Sequence, residues 1–469
     1  MKSTKIDGDI QRAVGQLIKR YPVVRNIIDE IHAQGGRSLL IGGAVRDMLL
    51  NMPFKDIDIE IHGLPLDALQ ALLKRFGDVD LVGKAFGVLR ICGIDIDWAL
   101  PRADSRGRKP EVIINPDMSV EDAFRRRDLT INALGVDLNS YELIDPFDGY
   151  KDIEKKVLRS PDPKFFAEDP LRLFRVMQFI SRFQMMPDET LNDLCKKMDI
   201  SGVSKERIEQ EFRKLLLKSK KPSLGIRWLK EIGRLQEVLP EIAATVGVKQ
   251  EPSWHPEGDV FEHTMQALDA AASIQYKDQD KKLMLMYAVL CHDIGKPYTT
   301  KNVEGVLKST GHAQEGAKLA KQLLRRFTNQ TSLISGVQKL VDAHMAPLQF
   351  YKQPPVQTAY KRLALRLAPE ATLSMLSDLS LADRQGRNPA GNEPLTDSSK
   401  EVDAFRRNAQ KADVFERVEK RILEGRDLRD VIEPGPEMGA MVKRAYEIQL
   451  EEGIKDKDIL RMRVLGEKE

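Results

Sequence analysis

Two carboxylates separated by one apolar residue, Asp56-Ile57-Asp58, sit in a run that alternates acid and isoleucine. A second alternation, Asp95-Ile96-Asp97-Trp98, follows downstream. In a strand, residues i and i+2 face the same side, so each pair presents two carboxylates about 6–7 Å apart. Like charges at that spacing repel unless a cation lies between them. Hard oxygen donors of this kind suit Mg²⁺. Asp95 or Asp97 can complete a cluster with Asp56 and Asp58, the arrangement that two-metal phosphoryl transfer requires. The bland alternative is the polar outer face of an edge strand. Just upstream, Leu39–Ile41 runs into Gly42-Gly43 and a helix carrying Arg46 and Asp47. Paired glycines let backbone amides approach a ligand, and a helix start offers positive potential to phosphate.

A second constellation is built from histidine. Of seven histidines, five fall between 255 and 344: His255, His263, His292, His312 and His344. His292 is followed directly by Asp293, and Asp383 lies in the later segment LADRQGR. Imidazole nitrogen with carboxylate oxygen suits a transition-type ion such as Ni²⁺, Mn²⁺, Co²⁺ or Fe²⁺, and the carboxylates also suit Mg²⁺. The order H…HD…D resembles the HD-domain metal-dependent phosphohydrolases. That resemblance implies His263, His292, Asp293 and Asp383 as metal ligands, with His312 and His344 supplying a second metal or binding phosphate. His255 is assigned to the substrate pocket.

These residues need elements to hold them. Residues 8–35 carry Ile10, Val14, Leu17 and Ile18 at helical spacing and predict one amphipathic helix. Short β-rich runs follow at Ser38–Ile41, Ile57–Ile61, Val88–Ile91, Ile94–Leu100, Glu111–Ile114, Ile131–Val136 and Tyr141–Ile144, with helices at Ala44–Leu50 and Leu66–Phe76. From about residue 165 onward the pattern is helical, interrupted at prolines. The longest apolar run, Leu283–Cys291, suits a buried helix. Met265, Met284 and Met286 are spaced as core, and His32 and His62 are assigned to the surface.

The 469 residues are 42% hydrophobic and 31% charged, enough apolar content to build cores and too much for a disordered chain. Lys and Arg number 74 against 71 Asp and Glu, a net charge of +3, so any surface for a polyanion must be local. Lys205–Lys230 is such a place, with nine basic residues against three Glu. Three scattered cysteines without a CxxC pair fit a reducing, cytoplasmic setting. No apolar run approaches the ~18 residues of a membrane helix, and the first residues lack the apolar core of a secretory signal.

GGAVRDMLL followed by DID resembles the nucleotidyltransferase head of the DNA polymerase β superfamily, in the branch of tRNA nucleotidyltransferases and bacterial poly(A) polymerases. FRRRDLTINAL (124–134), EDPLRLFRVMQFISRF (168–183), VSKERIEQEFRKLL (203–216) and DLRDVIEPGPEMGAMV (427–442) resemble further segments of that branch in its order. The resemblance implies an α+β chain: a head (1–150) with a small mixed sheet, then an all-α neck (151–250), an HD domain (251–390) and a helical tail (391–469). It implies that Asp56 and Asp58 hold Mg²⁺ and that Gly43 and Arg46 meet the triphosphate; the third carboxylate is Asp97 or Asp95. Arg127 would bind nucleotide. Asp169, Arg172 and Arg175 recur at i, i+3 and i+6 of one predicted helix. The first two would read the base edge of CTP or ATP, and Arg175 would hold the nucleotide. Pro101–Pro110 occupies the place of the family's flexible loop.

The activity so implied is addition of CCA to the tRNA 3′ end from CTP and ATP, with release of pyrophosphate. The neck and tail would grip tRNA phosphates. Poly(A), A-only and CC-only activities share the same motifs. HD-containing relatives show 2′,3′-cyclic phosphodiesterase, 2′-nucleotidase and phosphatase activities. A metal phosphohydrolase whose head only binds RNA is the alternative of another class.

Overall fold

The computed structural model describes residues 2–54, 56–82, 87–104, 112–391 and 393–466. The chain divides into two compact units, one up to Val203 and one from Ser204. The division falls inside the expected neck of 151–250. The helix Lys205–Lys218 packs with the HD helices, its Phe212 ring 4.5 Å from that of Phe327. The expected neck is therefore divided between the two units, and its basic run Lys205–Lys230 lies wholly in the second.

The first unit opens with two helices, Lys2–Arg20 and Val23–Ala33, rather than the single helix expected. Pro22 explains the break: it lacks a donor and disfavours helical geometry in the residue before it. The strands follow as β1 (Arg37–Ile41), β2 (Ile57–His62), β3 (Val79–Val82), β4 (Val88–Ile91), β5 (Ile96–Ala99), β6 (Arg102–Asp104), β7 (Val112–Ile114), β8 (Gly135–Asp137) and β9 (Leu143–Ile144). Seven form a mixed sheet in the order β3-β4-β5-β2-β1-β8-β9, while β6 and β7 pair separately. β2 and β5 run parallel, and β1 is antiparallel to both β2 and β8. Ile57, Ile59, Ile61, Ile96 and Trp98 are buried, which turns the intervening acids toward the opposite face.

Three local expectations are corrected here. β3 does not stand out in the sequence. The expected strand Ile131–Val136 begins as a 3-10 turn, Thr130–Asn132, because Asp128 Oδ1 accepts both the Leu129 amide and the Asn132 side chain. The helix expected over 168–183 starts at Leu171, behind Pro170. Residues 105–110 of the expected loop, and Glu111 of an expected strand, lie outside the described residues.

The second unit is helical apart from one exposed hairpin, Lys301–Val303 with Val306–Lys308, among the described residues. The helices Val260–Ser273, Gln279–Cys291, His312–Phe327, Thr331–Ala343 and Leu373–Gln385 form its HD portion. Leu283–Cys291 is wholly buried, as are Met265, Met284 and Met286. Asp259 and Asp278 cap the first two helices by accepting backbone amides. Further along, Leu423, Leu428, Met438, Leu460 and Val464 gather into a separate apolar cluster beneath the helices Pro436–Glu452 and Lys457–Leu465. No helix of the described residues is long and apolar enough to cross a membrane.

Candidate active sites in the head and the HD portion

In the head, the parallel register of β2 and β5 sets Asp58 opposite Asp97. The antiparallel register of β4 and β5 sets Arg90 on the far side of Asp97, bonded to it at 2.6–2.7 Å. Asp56 lies exposed just ahead of β2. Asp95 lies exposed ahead of β5. Burial, with Asp97 and Asp56 nearby, pushes the Asp58 carboxyl above its ordinary value despite Arg127 and Arg90. A site that holds carboxylates this close together suits a divalent cation between them.

Asp58, Glu60 and Asp97 form the acidic side of a cavity of about 380 Å³, which Arg102, Arg126, Arg127 and Arg172 also line. Glu60 is a member the sequence reading missed, although it continues the Asp56, Asp58 alternation by one more step. It is buried, lies 3.7 Å from Arg127 and bonds His62 at 3.0 Å. Burial works against its charge, but His62 and Arg127 hold its carboxyl below the ordinary value. His62, expected at the surface, is therefore buried, with its second nitrogen on the Met118 carbonyl.

Arg127 passes directly over Gly42. That residue has φ +68°, and a Cβ there would meet Arg127 Nη1 at 2.7 Å. The positive φ requires glycine, and a Cβ would displace the Arg127 guanidinium.

The structure brings Arg127 and Arg172 to this cavity, whereas the other four expected nucleotide contacts, Gly43, Arg46, Asp169 and Arg175, are not on its wall. Arg46 is buried and absent from the cavity wall. Its guanidinium bonds Asp47 and Asn132 and lies over the rings of Phe179 and Phe183. Gly43 lies against it, a Cβ there meeting Arg46 Nη2 at 3.4 Å. Arg175 bonds Asp128 at 2.6 Å. Asp128 is buried. Burial opposes its charge, yet Arg175, Asn132 and Arg172 bring its carboxyl down to about 2. Asp169 precedes the helix instead of sharing a face with Arg172, and its Oδ1 accepts the Leu171 amide at 3.1 Å. Arg172 is fixed by two carbonyls, Phe165 at 2.6 Å and Arg126 at 2.7 Å.

The second unit gathers all six expected HD residues. His263 Nε2 lies 3.1 Å from His292 Nε2 and 3.2 Å from Asp383 Oδ1. His312 Nε2 lies 3.1 Å from His344 Nε2. Asp293 stands between the two pairs, with Oδ2 3.2 Å from His292 and Oδ1 3.5 Å from His312 and 3.9 Å from His344. The far nitrogens of His292, His312 and His344 meet the carbonyls of Val289, Ser309 and Val341 at 2.6–2.7 Å. A carbonyl only accepts, so each Nδ1 carries the proton and each Nε2 presents a lone pair inward.

Burial and the neighbouring histidines push His344 down to about 3. Burial also opposes a charge on His263, but hydrogen bonds to Asp383 and Glu257 bring it up to about 9. Inward-facing nitrogens around a shared carboxylate fit a divalent-metal centre of nitrogen and oxygen donors.

Three supporting residues escaped the sequence reading. Glu257 bonds His263 Nδ1 at 2.7 Å and His255 at 2.9 Å. Lys296 and Arg387 bond Asp293 and Asp383 at 2.6 and 2.7 Å. Lys296 follows Asp293 by three positions and Arg387 follows Asp383 by four, spacings that bring helical side chains together. Gly295 allows the approach of the next helix, since a Cβ there would meet the His312 carbonyl at 2.1 Å. His255, Asp293, His312 and His344 open onto a cavity of about 570 Å³.

The basic run Lys205–Lys230 is partly neutralised: Arg213 pairs with Asp280, Lys221 with Glu393, and Arg227 with Glu262. Lys218 and Lys220 remain exposed.

A mixed-sheet head with paired strand carboxylates, followed by a helical HD centre, defines a nucleotidyltransferase joined to an HD domain. Residues 38–159 match the poly A polymerase head domain, 187–245 the probable RNA and SrmB-binding site of polymerase A, and 260–385 the HD domain. The Multifunctional CCA protein of Halorhodospira halophila is 36% identical over 299 residues, covering 61% of this chain and 68% of that protein. That of Pasteurella multocida is 34% identical over 61% and 69%. The chain belongs to this family of multifunctional CCA proteins.

The fold is shared with the Bacillus stearothermophilus CCA-adding enzyme in complex with CTP. Its TM-score is 0.63 at 18% identity, over 94% of this chain and 96% of that one. The Thermotoga maritima CCA-adding enzyme complexed with tRNA gives 0.57 at 20% identity, over 97% and 98%.

Proposed function

We propose that the head adds CCA to the tRNA 3′ end from CTP and ATP, releasing pyrophosphate. The observation that carries this reading is the in-register pair Asp58 and Asp97, facing an arginine-lined cavity. Family membership and the relatives solved with CTP, ATP and tRNA support it. Asp56, Asp58 and Asp97 would hold Mg²⁺, which when bound supplies Lewis-acid stabilisation of charge on the reacting phosphate. Arg127 and Arg172 position the nucleotide, the second beside Asp169, whose charge reaches it. Arg46 acts through packing, joining the Gly42-Gly43 turn to the helix Leu171–Phe183. Arg175 acts through Asp128. Lys218, Lys220 and the tail supply contacts for tRNA phosphates.

The HD centre acts on phosphate esters, with 2′,3′-cyclic phosphates as the leading substrates. His263, His292, Asp293 and Asp383 would hold one divalent ion, and Asp293, His312 and His344 a second. Such ions, when bound, polarise the ester and lower the charge barrier to attack. Lys296 and Arg387 hold the two aspartates ionised and oriented. The nitrogen-rich donor set favours Ni²⁺, Mn²⁺, Co²⁺ or Fe²⁺ over Mg²⁺.

The deciding experiment gives the purified chain three substrates: tRNA lacking CCA, tRNA ending in CC, and a generic RNA. Completion of CCA followed by arrest is expected. Long A tails on the generic RNA would overturn the CCA reading.

A further inference from the structure

The HD cavity has more in it than a centre for phosphate chemistry. At about 570 Å³ it lies in the range of pockets that enclose a whole organic ligand. One part of its wall is Asp293, His312 and His344. Another part is Trp254 with Leu307 and Lys352. The sequence contains three tryptophans. Trp98 and Trp228 are buried, whereas Trp254 is 51% exposed. A half-exposed indole in a cavity wall offers a π-face on which a planar base can stack. Lys352 Nζ lies 4.7 Å from the Trp254 ring centroid, so a cation already rests on the ring.

The segment that carries Trp254 is tied to the centre. Lys296, bonded to Asp293, also donates to Gln250 Oε1 at 2.7 Å. Glu251 Oε2 accepts the Leu307 amide of the exposed hairpin at 3.2 Å. His255, next in sequence, reaches His263 through Glu257. The segment that carries the indole is thus tied to the aspartate and histidines, and half of the indole surface stays exposed beside Lys352.

We infer that Trp254 is the base-stacking platform of this cavity, selecting a nucleoside phosphate whose phosphate sits at the ion that Asp293, His312 and His344 would hold. The inference rests on the phosphohydrolase reading above and adds what that site recognises: a planar base, either of a free nucleotide or of the terminal residue of an RNA. Stacking on an indole tolerates any base, because each has a π-face.

The test uses the full chain and its intrinsic fluorescence. Adenosine 2′-monophosphate and a short RNA ending in a 2′,3′-cyclic phosphate are titrated separately, with inorganic phosphate as control. Quenching by either nucleotide probe, absent with inorganic phosphate and lost in Trp254→Phe, is the expected result. The probe that quenches identifies the source. In the same proteins, Trp254→Ala is expected to raise KM for 2′,3′-cyclic AMP roughly ten-fold with little change in kcat, and Trp254→Phe to restore most of the difference. Equal quenching by inorganic phosphate, quenching that persists in Trp254→Phe, or an unchanged KM in Trp254→Ala overturns the stacking role. Nucleotide quenching in a wild-type chain that hydrolyses no phosphate ester overturns the phosphohydrolase reading instead and leaves the platform standing.

Discussion

Asp58 of β2 stands beside Asp97 of β5 in the parallel pairing of the two strands, although 38 intervening residues separate them in the chain. On the proposed reading of the head, this register favours Asp97 over Asp95 as the third carboxylate. Asp97→Asn is therefore expected to lower nucleotide incorporation by at least about 100-fold, while Asp95→Asn leaves it within a few-fold. Single-turnover incorporation on tRNA lacking CCA measures both. Equal loss in the two variants would remove the distinction.

The Gly42 position predicts a sharp steric effect. With φ +68° and Arg127 Nη1 only 2.7 Å from where a Cβ would stand, Gly42→Ala strains the backbone and displaces the guanidinium. The expected cost is about 1–3 kcal/mol of stability, read by urea unfolding, together with a raised KM for CTP and ATP. An unchanged KM would mean that Arg127 does not hold the nucleotide.

Asp128 predicts a pH dependence. Burial disfavours its charge, but Arg175 and its other partners win and hold the folded carboxyl at about 2, against about 3.9 in an unfolded chain. A depressed carboxyl contributes stability above the unfolded value and loses it as pH falls through the folded one. The contribution is about 2 kcal/mol near neutral pH, fading between roughly pH 4 and pH 2. The stability gap between wild type and Asp128→Asn, followed by urea unfolding, is expected to close over that interval. A gap that does not change with pH would contradict the ion pair.

The two centres are expected to fail separately. Replacing both His292 and Asp293 by Ala removes hydrolysis of 2′,3′-cyclic AMP and leaves CCA addition intact. After chelation, Mg²⁺ alone is expected to restore CCA addition, whereas hydrolysis needs Ni²⁺, Mn²⁺ or Co²⁺. Full recovery of hydrolysis with Mg²⁺ alone would contradict a nitrogen-dominated centre.

Much of this is legible in the residues themselves, for a physical reason. Strand alternation places the acids of β2 and β5 on one face, and the histidine order gives the HD set. What stays hidden depends on partners far along the chain. The choice of Asp97 requires the register of two strands. Arg46 reads as a phosphate ligand, and nothing near it in the sequence shows that Phe179 and Phe183, more than 130 residues on, lie against its guanidinium. His62 looks like surface until Glu60, two positions back, is seen to be buried with it. Glu257 lies between His255 and His263, and its role emerges only when the chain folds back on His263.

His292, His312 and His344 each rest their Nδ1 proton on the carbonyl three residues earlier in their own segment. The chain therefore settles the tautomer of these ligands locally, one turn at a time. When the helices meet, the three rings arrive with the same nitrogen already free. Substitutions that bend any of those turns would disturb the donor set without touching a ligand.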